Sequence, residues 1–175
     1  MGMTKSKQIA QGAILIALAL ALSYTERFIP LQLVIPLPGV KLGLANIVTL
    51  IALYLLGWKS AFAILILRCV LGSLFGGGIT GLLFSLTGGV LAMGLMALCK
   101  KISCFSVYGV SILGAAAHNM GQILAAMVLM HSVYVAAYLP YLLLVALFTG
   151  TATGSACAGV LRVVKNAPLS GETKK

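Results

Sequence analysis

Six long apolar runs, separated by short segments that hold most of the Lys and Arg residues, dominate the sequence. The runs cover residues 8–24, 43–57, 60–75, 79–98, 107–130 and 135–163. A helix needs about 20 apolar residues, and no fewer than about 17, to cross the hydrocarbon core of a bilayer. Because only 8% of all residues are charged, the runs predict an all-α membrane protein, a bundle of six transmembrane helices. The second and third runs are short, so they either extend into their flanks or form a hairpin that is partly buried in protein.

The positive charges predict the orientation of this bundle. If the N-terminus is inside, nine of the 12 Lys and Arg residues fall in cytoplasmic segments. The nine are Lys5, Lys7, Lys59, Lys100, Lys101, Arg162, Lys165, Lys174 and Lys175. Arg27 and Lys41 fall in outer segments, and Arg68 lies within the third run. Since cytoplasmic loops are enriched in Lys and Arg, both termini are predicted to be cytoplasmic, and the net charge of +10 needs no nucleic-acid partner. We expect one transmembrane domain over residues 1–165 in the cell membrane and a polar tail over 166–175.

Carboxylates are nearly absent, which excludes several classes of function. The chain has no Asp, and it has Glu only at positions 26 and 172. Metal-dependent diphosphate chemistry uses carboxylates to hold the metal, and ion-driven transporters commonly use an intramembrane carboxylate or His as the proton relay. The four cysteines form no CxxC pair, and no Walker A motif is present. We therefore expect no catalytic residue, no metal site and no cofactor, and the chain is not predicted to be an enzyme.

Residues 76–81 match the dinucleotide-binding pattern GxGxxG by letter. A dinucleotide site also needs a preceding strand and an acidic residue about 20 positions further on. Membrane helices flank this segment, and the residue at that distance is Lys101. The glycines are instead predicted to form a tight outer turn that enters the fourth helix.

One arginine lies inside an apolar run. Arg68 is about eight residues into the third run, which corresponds to about 12 Å along a helix and a depth near the midplane. An arginine at that depth costs about 2.5–3.5 kcal/mol on insertion scales, so its side chain is expected to face the interior and to have partners. A guanidinium suits a carboxylate or a phosphate. Arg68 is thus predicted either to bind an anionic group or to brace the bundle through backbone carbonyls.

A second set of polar residues lies in the fifth run and beside the second. His118 and Gln122 are four residues apart and share a helix face, with Asn119 next to them. Asn46 and Lys41, at the outer start of the second helix, are placed to join them. Together with the arginine of the third run, these side chains predict a site for a small anionic or strongly hydrogen-bonding ligand. The alternative is interhelical hydrogen bonding alone, which is worth about 0.6–2 kcal/mol per pair.

The connection between the first two helices contains prolines at positions 30, 36 and 38. Three prolines in nine residues exclude a regular helix. The segment is still apolar, so we expect it to pack against the outer mouth of the bundle. Residues 30–42 are therefore predicted to form either a lid or a rigid connector.

Small residues repeat at every fourth position of three predicted helices, of which the sixth has Gly150, Gly154 and Ala158. The first helix has Ala13, Ala17 and Ala21, hereafter the alanine stripe. The fourth helix has a similar row, which consists of Gly77, Gly81, Ser85 and Gly89. Such rows let helix backbones approach closely in lipid. They predict internal packing, and the alanine stripe alternatively predicts a docking face for another membrane protein.

Four blocks of sequence are similar to a known family. They are residues 38–47, 68–75, 84–89 and 118–122, which read PGVKLGLANI, RCVLGSLF, FSLTGG and HNMGQ. They resemble the Gx transporter family, whose members are often labelled heptaprenyl diphosphate synthase component I, and the similarity extends over about residues 8–165. This family is in turn similar to the substrate-binding S components of energy-coupling-factor (ECF) vitamin transporters. The resemblance implies a six-helix bundle that captures a ligand from outside and docks, through the alanine stripe, on a transmembrane coupling protein driven by two ATPases.

Three functions follow as hypotheses from these observations. The first is a ligand-capturing transporter subunit, in which Arg68, His118, Asn119 and Gln122 hold the ligand while Lys41 and Asn46 guard the outer mouth. The second is a non-catalytic membrane accessory subunit in isoprenoid or quinone metabolism, or in a flavin or quinone redox system. The third is a structural scaffold in which the polar residues only join helices.

Overall fold

The computed structural model describes residues 5–28 and 41–166, and all regular structure within these ranges is helical. The six α-helices are α1 (Lys5–Thr25), α2 (Asn46–Leu55), α3 (Trp58–Gly72), α4 (Gly78–Lys101), α5 (Val107–Met130) and α6 (Leu139–Asn166). Short helical turns follow α1 at Glu26–Phe28 and precede α6 at Val133–Tyr138. The prediction of an all-α chain is confirmed. The predicted lid and tail lie mostly outside the described residues, since only Lys41, Leu42 and Asn166 of those segments are described.

Four segments within the described ranges are long and apolar enough to cross a membrane. They are Gln8–Thr25, Trp58–Lys101, Val107–Met130 and Val133–Asn166. The second of them contains both α3 and α4. These segments have the length and the apolar composition expected of a membrane protein. Helices of this kind satisfy their backbone hydrogen bonds internally while their side chains contact lipid.

The segment between α3 and α4 is a turn with π-helical hydrogen bonding at Ser73–Gly77. Its backbone leaves the helical region at Phe75 (φ −84°, ψ 35°) and at Gly76 (φ 99°, ψ 13°), and Gly78 has φ 61°. Positive φ values of this kind favour glycine, which has no Cβ. The glycines thus form a turn that enters α4, as the sequence predicted.

Helix α2 is only ten residues long, and seven of these residues are buried. With about 1.5 Å of rise per residue, such a helix covers about 15 Å, half of a hydrocarbon core of about 30 Å. Protein surrounds α2 on several sides, because α1, α3, α4 and α6 all contact it. This finding agrees with the predicted hairpin that is partly buried in protein.

Helices α4, α5 and α6 approach each other closely at glycines. A Cβ placed on Gly121 of α5 would lie 2.7 Å from the Cα of Gly88 in α4. A Cβ on Gly150 of α6 would lie 2.6 Å from the Cα of Ile112 in α5. Backbones can come this near only where side chains are absent, so these glycines fix the spacing of the three helices.

Helix α1 packs least tightly against the rest of the bundle. Between Gln8 and Thr25, Ala19 is its only buried residue. The alanine stripe is exposed at all three positions, so it does not serve the internal packing of the described residues. Its role as a docking face stays a prediction.

Candidate functional site

A cavity of about 370 Å³ lies among the last turns of α1, the residue Lys41 ahead of α2, the end of α3 with the turn that follows it, and α4. This volume is within the range of about 300–1,000 Å³ that is typical of small-molecule sites. The lining residues are Leu20, Ala21, Ser23, Tyr24, Lys41, Arg68, Cys69, Gly72, Phe75 and Ser85. Most of the lining is apolar, and two of its members are cations.

Arg68 supplies one of these cations and is almost completely buried, with 6% of its surface exposed. Its Nη2 donates a hydrogen bond of 2.9 Å to Oδ1 of Asn46, whereas its Nε has no hydrogen-bond partner among the described residues. Helix α3 ends at Gly72, so Arg68 lies about 6 Å from the end of its helix, at 1.5 Å per residue. The sequence placed it nearer the middle of a helix because the apolar run continues to position 75, past the end of α3.

Lys41 supplies the second cation; its side chain is bound by α4 and its backbone by α5. Its Nζ donates to Oγ of Ser85 at 2.8 Å. Its backbone N–H donates to Oε1 of Gln122 at 3.0 Å, and Nε2 of Gln122 donates to the Lys41 carbonyl at 2.9 Å. The side-chain amide of Gln122 therefore binds both the backbone N–H and the backbone C=O of residue 41, which fixes this residue at the cavity.

His118 lies behind Lys41 and does not line the cavity. Its Nε2 is 2.6 Å from Nε2 of Gln122. Since an amide nitrogen can only donate, His118 Nε2 accepts, and the ring proton is assigned to Nδ1. A Cβ on Gly43 or on Gly88 would come within 3 Å of the imidazole, so both glycines are needed for the ring to fit. Gly43 also has φ 81°, a conformation that favours glycine.

Asn119 points away from this cluster. Its Nδ2 donates to the Leu142 carbonyl of α6 at 2.6 Å, and it does not line the cavity. Adjacent residues of an α-helix differ by about 100° in direction, since there are 3.6 residues per turn. Asn119 therefore joins α5 to α6 while His118 faces the segment before α2. Its predicted contact with a ligand stays a prediction.

Glu26 brings a carboxylate to the same region; from its position at the outer edge of the first run, it is the one acid that the sequence offers to offset the basic groups of the site. The side chain is 7% exposed and accepts a hydrogen bond from the Leu44 N–H. It lies just beyond the first segment that is long and apolar enough to span a membrane. Burial raises the pKa of Glu26 above its usual value, while the Leu44 N–H and the positive charges of Arg68 and Lys41 act in the opposite direction.

The pKa shift of Glu26 predicts a pH-dependent stability. Because the folded protein holds this proton more tightly than the unfolded chain, the stabilisation is fully present below the unfolded pKa of 4.5 and is lost as the pH rises through the folded pKa. Glu26→Gln keeps an oxygen for the Leu44 N–H but cannot titrate. We expect the melting temperature of the wild type, relative to this variant, to increase as the pH falls from about 7 to about 5.

This comparison can be made by thermal unfolding in detergent across that pH range, with Glu172→Gln as the matched loss of the other acid. If the melting temperature of the wild type, relative to Glu26→Gln, stays constant or decreases as the pH falls, the raised pKa of Glu26 is contradicted.

The structure thus brings together only part of the predicted site. Arg68 and Lys41 line the cavity, Asn46 binds Arg68, and His118 with Gln122 supports Lys41. Sequence reasoning did not include the cavity-lining residues Tyr24, Cys69 and Ser85. Only Ser85 had a signal, since it is the one hydroxyl in the row of small residues of α4.

No match to a curated protein or to a solved structure was found. The sequence model of the heptaprenyl diphosphate synthase component I family matches residues 15–160, which is most of the chain, and the protein belongs to that family.

Proposed function

We propose that the protein is an integral membrane subunit that captures a small anionic or amphipathic ligand from outside, for uptake energised by partner ATPases. The observation that carries this proposal is the buried guanidinium of Arg68 in the wall of a cavity. An ionised group that is removed from water is costly unless it is paired and hydrogen-bonded. Asn46 accepts one hydrogen bond from Arg68, and a neutral amide does not compensate the positive charge. The Glu26 carboxylate interacts with both Arg68 and Lys41 and can balance only one of these two cations. An anionic ligand would balance the other.

The remaining predicted residues have distinct roles in this proposal. Arg68 and Lys41 contact the ligand, and Asn46 orients the guanidinium. Gln122 positions Lys41 by binding its backbone, and His118 positions Gln122 by accepting a hydrogen bond from it. Asn119 holds α5 against α6 and acts on the site only through the packing of these helices.

The partners follow from the resemblance to S components and from the exposure of α1. An ECF-type transmembrane coupling protein would bind the alanine stripe, which is exposed at all three positions. Small residues permit close approach of another helix in lipid. Two ATPases bound to that coupling protein would supply the energy, since this chain has no Walker A motif.

A second candidate function is a non-catalytic accessory subunit in polyprenyl diphosphate or quinone metabolism. The family description, which names a component of a synthase, favours it. The apolar cavity walls also suit an isoprenoid. In this case the protein would present or store a lipid-like intermediate for a separate enzyme.

Mass spectrometry of everything that co-purifies with the tagged protein from its own membranes, in mild detergent, separates the two candidates. We expect a coupling protein, two ATPases and a retained small molecule. Recovery of a prenyl synthase or of a redox protein without ATPases would contradict the transporter proposal and support the accessory role. A double Ala13→Leu and Ala17→Leu variant should lose the coupling protein and keep the small molecule, because the bulky side chains block close helix approach and neither position lines the cavity.

A further inference from the structure

We infer that Glu26 is a specificity-determining residue that limits the ligand of the cavity to one negative charge on an apolar body. The inference rests on the proposed function, because it defines the class of ligand that the same cavity takes. Glu26 itself does not line the cavity.

With Glu26 ionised, the charged side chains at the cavity sum to one positive charge among the residues that the structure describes. Arg68 and Lys41 contribute two cations. The Glu26 carboxylate accepts from the N–H of Leu44, which lies between Lys41 and the Asn46 that binds Arg68, and it interacts electrostatically with both cations.

The other titratable groups at this cluster are Tyr24 and Cys69, which line the cavity as a phenol and a thiol, and His118. The Nε2 of His118 accepts from Gln122, which describes a neutral ring. One anionic group on a ligand therefore neutralises the site. In a region of low dielectric, each further charge would be uncompensated and costly.

The rest of the cavity fits an apolar body. Leu20 and Ala21 of α1 face Gly72 at the end of α3 and Phe75 of the turn that follows it. The Tyr24 and Ser23 side chains stand on the α1 side. A ligand with its acidic group at Arg68 and Lys41 would place its remaining atoms along these residues.

A diphosphate does not fit the same charge balance. It carries at least two negative charges at neutral pH, and proteins usually neutralise them with Mg²⁺ held by carboxylates, or with several Lys and Arg side chains. This chain has no Asp and only two Glu, and one of these, Glu26, already uses part of the positive charge at the cavity. The site is therefore expected to prefer a carboxylate to a diphosphate on the same body.

Three probes with one isoprenoid body and different charge test this rule: farnesol, farnesoate and farnesyl diphosphate. Binding to the purified full chain in nanodiscs of neutral lipid is measured by native mass spectrometry and by competition. We expect farnesoate to bind about tenfold more tightly than the alcohol and than the diphosphate. The alcohol lacks an ion pair and the diphosphate carries an uncompensated charge, and at a partly buried site either one changes the affinity by at least about tenfold.

Glu26→Gln then isolates the proposed determinant. The substitution raises the net charge at the cavity from one to two and keeps an oxygen for the Leu44 N–H. We expect the affinity for farnesyl diphosphate, relative to farnesoate, to increase about tenfold. Glu172→Gln changes the net charge of the chain equally and should leave this ratio unchanged.

Two results would overturn the inference: a wild type that binds the diphosphate more tightly than the carboxylate, and a Glu26→Gln variant with an unchanged ratio. Failure of all three probes to bind would also overturn it, because an apolar monoanion would then not be accepted. A small molecule retained from native membranes, and lost on substitution of Arg68, would in that case still support the proposed function, so the two can fail separately.

Discussion

Replacing Arg68 by Ala is expected to lower the affinity for the captured ligand about 100-fold while the bundle stays folded. Truncation of one partner of a buried, hydrogen-bonded charge pair typically costs about 2–5 kcal/mol, and 100-fold corresponds to about 2.7 kcal/mol. The fold is expected to tolerate the change because a buried, incompletely paired cation adds little stability of its own. The small molecule that co-purifies with the wild type, quantified by mass spectrometry, gives the measurement.

Two further variants make this result specific. Arg68→Lys keeps the charge but loses the planar guanidinium, so binding should fall about tenfold and not 100-fold. Arg162→Ala removes an exposed arginine of α6 that does not line the cavity and should leave binding unchanged. Equal ligand retention by wild type and Arg68→Ala, at equal melting temperature, would assign Arg68 a structural role and contradict the proposed function.

Replacing Gly121 by Ala is expected to destabilise the bundle more than any other single methyl addition to α5. The added Cβ would lie 2.7 Å from the Thr87 carbonyl oxygen and from the Cα of Gly88. These are backbone atoms of α4, which cannot move aside as a flexible side chain does. Inserting a methyl group into a closely packed contact costs about 1–3 kcal/mol, and here it must also separate two helices. Thermal unfolding in detergent should show a clear loss of melting temperature.

Gly94 provides the matched control for this substitution. It lies in α4, the helix that Gly121 contacts, and a Cβ placed on it meets no atom within 4 Å. Gly94→Ala should therefore be neutral or slightly stabilising, because Ala is a better helix former than Gly by up to about 1 kcal/mol. Similar melting temperatures for Gly121→Ala and Gly94→Ala would contradict the close approach of α4 and α5.

The helices could be predicted from the sequence with small errors at their ends. The fifth apolar run and α5 have the same bounds, 107–130, because in lipid the polar residues that bound a run mark where a helix leaves the membrane. The third run overestimates α3, which ends at Gly72. Leu74 and Phe75 continue the apolar composition, and no pattern of hydropathy distinguishes a helix from an apolar turn.

The site could be predicted as a set of residues but not as a geometry. Helical spacing placed His118 and Gln122 on one face, and this is confirmed by the 2.6 Å contact between their side chains. It could not show that this face supports Lys41 from behind and does not line the cavity. The contacts of Lys41 with Gln122, 81 positions apart, and of Arg68 with Asn46, 22 positions apart, depend on tertiary packing, which local patterns do not encode.

The way in which Gln122 binds residue 41 has a consequence for how the ligand can change during evolution. Both hydrogen bonds go to the backbone N–H and C=O of residue 41, so the attachment does not depend on which side chain stands there. A substitution of Lys41 would alter the charge that the cavity presents and leave the backbone in place. Position 41 thus separates the chemistry of recognition from the integrity of the bundle, and relatives could acquire new ligands there by single substitutions without loss of the fold.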